Sequence, residues 1–362
     1  MKKRNPKQCK HEAWKRRYSM RLRRVANAPR YPRRKRKFRH ANSSVLVAPA
    51  YFELMSANNG GSDSRIDDFF DFLNSLRSLS TTSVQIDMTG VRRMAVDATL
   101  LFKAELSRTA QAKGVTITAI PPRSVRTQQV LKQTGIDKLL NLRIEVLPDR
   151  EDVVHWRIAE GPSHLVDHNT LDAIMADIEE VTGMAAHPVY QGIIESMGNC
   201  VEHAYKPHPE VKRPMPIDPG WWVFQQVKDN NLTVVVCDLG IGVSRALPLT
   251  LAEEPSLLKK LLHIARKARG EDNRALLAAM EYGRTSTKER QRGKGMRNAH
   301  AVVDDIGEGE FLAISNRGCY VYWRRPSPAE PRRRTVKLKH SINGTILRWN
   351  LPLQSGSTER SA

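Results

Sequence analysis

The sequence has few cysteines, few aromatic residues and no long apolar run. No apolar stretch approaches the roughly 18 residues that a membrane helix needs, and the charged amino terminus lacks the apolar centre of a secretory signal. The cysteines form no C-x-x-C pair, which argues against a zinc knuckle or a disulfide framework and is typical of a reducing compartment. We therefore expect a cytoplasmic protein that does not bind membranes. The four cysteines are Cys9, Cys200, Cys237 and Cys319.

Acidic residues are almost absent from the first 40 residues, which hold 18 Lys and Arg side chains but one acid, Glu12. This arm carries +17 of the formal net charge of +21, so residues 41–362 carry only +4. Like charges at this density repel, and residues 1–43 are predicted to be a disordered basic arm. We expect residues 1–40 to bind nucleic acid through phosphate contacts; a solubilising tail and a contact for an acidic protein are the alternatives. The candidate contacts are Arg23, Arg24, Arg33, Arg34, Lys35, Arg36 and Lys37.

The full sequence is 40% apolar, and its length is sufficient for two α/β domains after the arm. Strand patterns over residues 45–49, 84–88 and 115–120 alternate with helix patterns over 66–79, 99–113 and 125–133. Alternation of short strands and helices predicts a small layered α/β domain, which we place at 44–148. A second domain over 149–355 begins with an amphipathic helix predicted at 168–183.

The stretch VQIDMTG at 84–90, followed by VDATL at 96–100, resembles a STAS domain, the fold of anti-sigma-factor antagonists. In that family a phosphorylatable serine follows an aspartate at the start of the second helix. The resemblance implies that Thr99, two residues after Asp97, is the phospho-acceptor. The alternative is that Asp97 caps the helix and Thr99 is an ordinary first-turn residue.

Glu195, Asn199 and His203 are spaced by four residues within a helix predicted over 189–205. Steps of four place the three side chains on one helix face. An asparagine amide oxygen is a ligand suited to Mg²⁺, and a glutamate one turn earlier can act as a general base. A solvated polar face is the alternative.

An apolar strand pattern over residues 231–237 ends in Asp238, which is followed by Gly240 and Gly242. A carboxylate at the end of a strand can accept a hydrogen bond from an adenine amino group. The two glycines permit tight backbone geometry and the close approach of a ligand. A glycine-rich turn after a core strand is the alternative interpretation.

Arg292-Gly293-Lys294-Gly295-Met296 precedes a helix predicted to run to residue 304. Glycines before a helix expose backbone N–H groups, and the helix dipole favours phosphate there. The spacing does not match a Walker P-loop. Farther along, Asn343-Gly344 between apolar runs predicts a tight hairpin that closes the sheet after residues 319–323.

In this order, the four motifs resemble the GHKL superfamily of ATP-binding domains, which includes gyrases and histidine kinases. The first motif, residues 195–204, resembles the N box of this superfamily and ends in His203 and a small residue, as in anti-sigma-factor kinases. The resemblance covers roughly residues 160–352 and implies a Bergerat-type α/β sandwich, a mixed sheet covered by helices. It also implies a mobile lid insertion over 244–294. Residues 356–362 are predicted to form a tail after the second domain.

The resemblance implies that ATP and Mg²⁺ are cofactors, that Glu195 is the general base and that Asn199 binds the metal. Asp238 would select adenine, the two glycines of the third motif would cradle phosphates, and Thr345 would support the adenine side. The ATP-binding residues it implies are Asn199, His203, Asp238, Gly240, Gly242, Gly293, Lys294, Gly295, Met296 and Thr345.

Three functions remain open. The first is an ATP-hydrolysing switch that acts on a protein or nucleic-acid partner. The second is a Ser/Thr protein kinase of the anti-sigma type, with the STAS-like domain as its tethered substrate. The third is a nucleic-acid-binding protein with a purely structural nucleotide pocket. The protein partner and an ATP-dependent homodimer are left open, and the basic segment 324–339 is either a second phosphate-backbone contact or a prop for the lid.

Overall fold

The computed structural model describes residues 45–55, 64–162, 164–165, 171–172, 174–176, 178–179, 187–211, 220–252, 254–285, 295–326 and 330–353. The predicted basic arm and its seven candidate contacts lie outside the described residues, as do Gly293, Lys294 and the predicted tail. Ser44–Ala362 group as one compact unit. The boundary between residues 148 and 149 stays a prediction.

The first part of this unit is a three-stranded parallel sheet, in the order β1-β3-β5, with helices packed against it. All six strands and helices predicted between residues 45 and 133 are present, with ends that differ by at most three residues. A short parallel pair, β2 and β4, lies beside the sheet. The elements are β1 (Val45–Val47), β2 (Tyr51–Phe52), α1 (Ser64–Arg77), β3 (Ser83–Asp87), β4 (Arg93–Met94), α2 (Val96–Lys113), β5 (Thr116–Ile120), α3 (Val125–Gln133), α4 (Ile136–Leu139) and α5 (Glu151–Val154).

The second part contains a seven-stranded sheet in the order β11-β10-β9-β12-β8-β7-β6. All six pairings among these described strands are antiparallel, which corrects the predicted mixed sheet. A tight turn accounts for one of these pairings: Asp229 and Asn230, both at positive φ, reverse the chain between β7 and β8. The strands are β6 (Arg157–Gly161), β7 (Trp221–Lys228), β8 (Asn231–Asp238), β9 (Gly309–Ser315), β10 (Gly318–Arg324), β11 (Arg332–Lys337) and β12 (Thr345–Pro352).

The hairpin predicted at Asn343-Gly344 is wrong. Asn343 does adopt the positive φ of a turn, at 56°. The turn, however, directs β12 into the middle of the sheet between β8 and β9, whereas the preceding strand β11 pairs with β10 at the edge. The Asn-Gly pair specifies a turn, but burial chooses the strand's partners, because β12 carries side chains such as Ile346 and Trp349 that are fully or almost fully buried.

Helices α6 (His187–Asn199) and α10 (Gly295–Ile306) cover one face of this sheet. They approach closely at Gly192, where a Cβ atom would lie 2.8 Å from Val302 Cγ2. The described parts of the helix predicted at 168–183 are helical. No helix among the described residues combines the length and apolar character that crossing a membrane requires. The remaining helices are α6 (His187–Asn199), which continues as a π-helix over Cys200–Ala204, α7 (Val243–Thr250), α8 (Pro255–Ile264), a 3₁₀ turn (Ala265–Lys267), α9 (Glu271–Thr285) and α10 (Gly295–Ile306).

The other face of the sheet is buried against the N-terminal elements. In β8, Val234 and Val236 belong to the core beneath α6 and α10. The alternating residues Val235 and Cys237 belong to a second core, which also contains apolar side chains of α1 and α2. A strand buried on both faces has a nearly continuous apolar sequence, which explains the run before Asp238.

A buried ionic cluster joins α1, α2 and the connection before β12. The Glu105 carboxylate is fully buried and accepts hydrogen bonds from Arg77 Nε at 2.7 Å and Arg108 Nη2 at 2.6 Å. Arg77 Nη2 also donates to the carbonyl oxygen of Ile342 at 2.9 Å. Burial raises the pKa of the Glu105 carboxyl, but the charges of Arg77 and Arg108 and their hydrogen bonds outweigh it and hold the pKa below its ordinary value.

Replacing Glu105 by Gln is expected to lower the free energy of unfolding by about 3–5 kcal/mol at neutral pH, because two buried guanidinium groups lose their counter-charge. Urea unfolding measures this loss. The control is Glu210→Gln. It removes the charge of a carboxylate that is 70% exposed and pairs with Arg245. It is expected to cost less than about 1 kcal/mol, and equal losses in the two variants would contradict the role of the cluster.

The difference in unfolding free energy between wild type and Glu105→Gln is expected to depend on pH. Because the folded protein lowers the pKa of Glu105, the stabilisation by the ionised cluster is complete above the ordinary value of 4.5. It is lost as the pH falls through the lowered folded value. The unfolding free energies of wild type and Glu105→Gln should therefore converge in acid, and a constant difference through that range would count against the ionic origin.

Candidate functional site

Three segments that are distant in sequence meet at the end of β8. Thr345, the first residue of β12, is the strand partner of Asp238. The N–H of Ile241 donates to the carbonyl oxygen of Ala204 at 2.7 Å, so the glycine turn lies against the π-helical end of α6. Motifs separated by more than 100 residues therefore lie together in the fold. We call the region around Ala204, Asp238, Ile241 and Thr345 the candidate site.

Asp238 is buried at the centre of this site, with 6% of its surface exposed. One carboxylate oxygen accepts the N–H of Gly240 at 2.7 Å, and the other lies 3.7 Å from the Cys200 sulfur, which donates to it. Burial, followed by the negative charge of Asp238, raises the pKa of the Cys200 thiol well above its ordinary value. The thiol therefore stays protonated and acts as a donor to the carboxylate.

Cys200, Tyr205 and Asn316 were not predicted as site residues. The Tyr205 hydroxyl donates to the carbonyl oxygen of Gly220 and accepts the N–H of Leu239. Burial, and after it the charge of Asp238, raises the pKa of this phenol well above its ordinary value. Cys200 and Tyr205 lie within the predicted N box helix, but an apolar or aromatic residue in a helix carries no signal that it will contact a carboxylate.

Asn199 and Glu195 are partly buried and lie one turn apart on α6. The amide nitrogen of Asn199 is buried and has no hydrogen-bond partner among the described residues. An unsatisfied buried donor of this kind costs about 1–3 kcal/mol unless an acceptor such as a phosphate oxygen binds it. No three described His, Cys, Asp or Glu residues group as a metal site, so a metal at Asn199 would need water and phosphate ligands, as Mg²⁺ accepts.

His203 lies in the π-helical continuation of α6. After Asn199 the hydrogen bonding becomes i→i+5 over Cys200–Ala204, and the shared face of Glu195, Asn199 and His203 stays a prediction. The His203 ring lies 3.4 Å from Thr250 Oγ1 on α7. Burial, together with the nearby charge of Lys206, lowers the pKa of His203. Its predicted contact with ATP stays a prediction.

The glycines of the site are explained by packing within the protein. A Cβ atom at Gly240 would lie 2.3 Å from the carbonyl oxygen of Ala204. Gly242 has φ +81°, and its Cβ atom would lie 2.2 Å from Asn316 Nδ2. A Cβ atom at Gly344 would lie 2.0 Å from the carbonyl oxygen of Asp238. The backbone segments thus approach so closely that only glycine fits, whether or not a nucleotide also benefits.

Only part of the third motif is described. Gly295 begins α10, and Met296 is partly buried. Within the predicted lid, α9 carries the buried Leu276 and Met280, and Asn273 Oδ1 accepts the N–H of Cys319 at 2.9 Å. This helix is held to the sheet, and the mobile lid over 244–294 stays a prediction.

Thr99 is fully buried, and its hydroxyl donates to the carbonyl oxygen of Ala95 at 2.7 Å. The N-cap of α2 is Ala95, so the alternative that Asp97 caps this helix is wrong. Asp97 lies in the first turn, where its carboxylate accepts from Arg348 Nη1 at 3.0 Å. It therefore joins α2 to β12.

A chain of hydrogen bonds links the N-terminal helices to the candidate site. Arg77 holds the carbonyl oxygen of Ile342, and the N–H of Ile342 donates to the Asn316 carbonyl oxygen at 3.1 Å. The N–H of Asn316 then donates to the Gly344 carbonyl oxygen at 3.0 Å, and its side-chain amide donates to the Ile241 carbonyl oxygen at 3.1 Å. The position of the turn before Thr345 thus depends on α1.

The chain matches no protein-family model, and no curated protein matches it in sequence.

Substituting Gly344 with Ala is expected to lower the unfolding free energy by about 1–3 kcal/mol or more, because the new methyl group overlaps the Asp238 carbonyl oxygen. Urea unfolding again measures the change. The matched control is Gly198→Ala, also close to the site, where a Cβ atom meets nothing within 4 Å. In the helix it should be neutral or stabilising by up to about 1 kcal/mol. An undiminished stability of Gly344→Ala would contradict the close packing.

Proposed function

We propose that this protein binds Mg²⁺–ATP at the candidate site and hydrolyses it slowly, acting as a switch on a protein or nucleic-acid partner. One observation carries the proposal. The end of the N box helix, the Asp238–Gly242 turn and the Gly344-Thr345 pair lie together, although nothing in their local sequences requires it. Convergence of the motifs supports the resemblance to GHKL domains more strongly than any one motif does.

The chemistry of the described side chains fits this ligand. A carboxylate can accept about four hydrogen bonds, so Asp238 can hold Gly240 and also accept one from an adenine amino group. Asn199 has the unsatisfied amide noted above, and its amide oxygen would be a magnesium ligand. Thr345, opposite Asp238 in the sheet, would support the adenine side.

Magnesium–ATP would supply the phosphoryl group whose transfer to water resets the switch. Glu195 would hold the proton taken from the attacking water, as a general base. Gly293, Lys294 and Gly295 would bind phosphate at the amino end of α10, where backbone N–H groups and the helix dipole favour an anion. The link from the site turn to α1 through Arg77 would let the bound nucleotide alter how a partner is held.

Calorimetric titration of the full chain with Mg²⁺–ATP is expected to show binding. Asp238→Asn should weaken it, because the amide replaces one of the two acceptor oxygens by a donor. Glu195→Gln should keep ATP binding and lose turnover, whereas Gly198→Ala should keep both. Absence of heat and of thermal protection in wild type would refute the proposal, and unchanged binding by Asp238→Asn would refute the assigned adenine contact.

Burial of Thr99 favours hydrolysis over phosphotransfer within the chain. A hydroxyl that is fully buried and bonded to the helix backbone is out of reach of a nucleotide unless α2 separates from the sheet. With γ-labelled ATP we therefore expect labelled free phosphate and no label on the protein. Label on the chain that disappears in Thr99→Val would instead establish the kinase alternative.

A further inference from the structure

Positive charge outside the arm is concentrated in one hairpin. Residues 317–339, which we call the basic hairpin, contain eight Lys and Arg side chains and one acid, Glu330. Residues 41–362 as a whole carry a net charge of +4, so the part outside the basic hairpin carries −3. The hairpin consists of β10, β11 and the residues that flank them.

The hairpin lies at the edge of the seven-stranded sheet. Among the described strands β11 pairs only with β10, so its outer side has no strand partner. Arg332 is opposite Trp323 on one face of the sheet, and Arg333 is opposite Tyr322 on the other. The residues Arg332, Arg333, Arg334 and Lys337 are all exposed. Cationic side chains thus extend from both faces of one edge.

Several of these cations form no ion pair with the described part of the chain. Arg333 pairs with Glu281 at 2.8 Å, and the Arg334 guanidinium lies 5.7 Å from the centre of the Trp323 ring. Four other side chains of the hairpin are exposed and form no ion pair with any described residue: Arg317, Arg325, Arg332 and Lys337. Four cations in one hairpin that pair with no described acid favour a role toward an external anion.

A cleft of about 170 Å³ continues the basic surface beyond the end of β11, and Arg269, Arg317 and Lys337 line it. Of its two acids, Asp272 already accepts hydrogen bonds from Ser244 Oγ at 2.6 Å and from the Arg317 N–H at 3.1 Å. Glu271 is the other acid. Three cations therefore outnumber the acids at this end of the surface.

We propose that the basic hairpin binds the phosphate backbone of a nucleic acid. Six residues of strand span about 20 Å, and duplex DNA carries about one negative charge per 1.7 Å along its axis, so several phosphates lie within reach. Arginine forks match phosphate geometry. None of the large apolar side chains exposed among the described residues lies in the hairpin, which disfavours a protein interface or membrane insertion.

This surface is separate from the arm and does not depend on nucleotide binding. The predicted contacts in residues 1–40 would hold phosphates through a chain segment, whereas the basic hairpin presents its cations from a fixed sheet edge. A cationic edge strand also has an explanation that involves no ligand, because such charges prevent edge-to-edge aggregation. The two explanations differ in the salt dependence of nucleic-acid binding.

The test is the binding of a fluorescein-labelled DNA duplex to the full chain, by anisotropy, between about 50 and 200 mM salt. The triple variant Arg317→Gln, Arg332→Gln, Lys337→Gln is expected to reduce the slope of log K against log salt by about 2.7, since each lost phosphate contact contributes about 0.9. The double variant Arg325→Gln, Arg332→Gln, at exposed positions, should reduce it by about 1.8 and gives the answer if the triple variant misfolds.

The matched control is Lys259→Gln, Lys260→Gln, Arg266→Gln, which removes the same net charge from exposed positions of α8 and the 3₁₀ turn that follows it. It should leave the slope unchanged. Hairpin variants that behave like this control would overturn the proposal and leave protection of the edge as the explanation. If instead the hairpin variants lost binding to anionic vesicles but kept the DNA slope, the surface would be a membrane contact, and the proposal would also fail.

Discussion

The seven-stranded sheet buries apolar side chains on both of its faces, so each face needs its own cover of helices. Helices α6 and α10 cover one face, and α2 covers the other, with α1 packed against α2 in the same core. Because β8 contributes alternate residues to both cores, the helices on neither face can separate from the sheet without exposing apolar surface to water. The N-terminal sheet and its helices therefore serve as one wall of the core in Ser44–Ala362.

The packing of the N-terminal helices buries charged side chains. One of the arginines that neutralise them also holds the chain next to the candidate site. Glu105 is stable as a buried anion because Arg77 and Arg108 neutralise it. Arg77 at the same time holds the backbone at Ile342, next to the turn that sets Thr345 opposite Asp238. Under the proposed function, a nucleotide at Asp238 and a partner that displaces α1 would change each other's affinity, since such coupling is reciprocal.

The proposed activities occupy different parts of the sheet. The candidate site lies at β8 and β12, in the middle, where burial strengthens hydrogen bonds to a charged group. The basic hairpin lies at the β11 edge, where exposed cations meet a polyanion at little desolvation cost. Asn273, on α9, bonds to the backbone of Cys319 in β10, and so connects the predicted lid region to the hairpin. A switch that moved α9 would therefore also disturb the basic edge.

Local patterns determined much of this protein. The alternation of strands and helices between residues 45 and 133, the end of β8 at Asp238 and the helix that carries Glu195 and Asn199 all follow from short-range periodicity, which the sequence alone displays. Tertiary structure alone decided that β12 enters the sheet beside β8, that the helix becomes π-helical after Asn199, and that Glu105 is buried between two arginines. Those outcomes depend on which distant residues meet in the core, and no nearby sequence pattern encodes the partner of a strand or the neighbour of a buried charge.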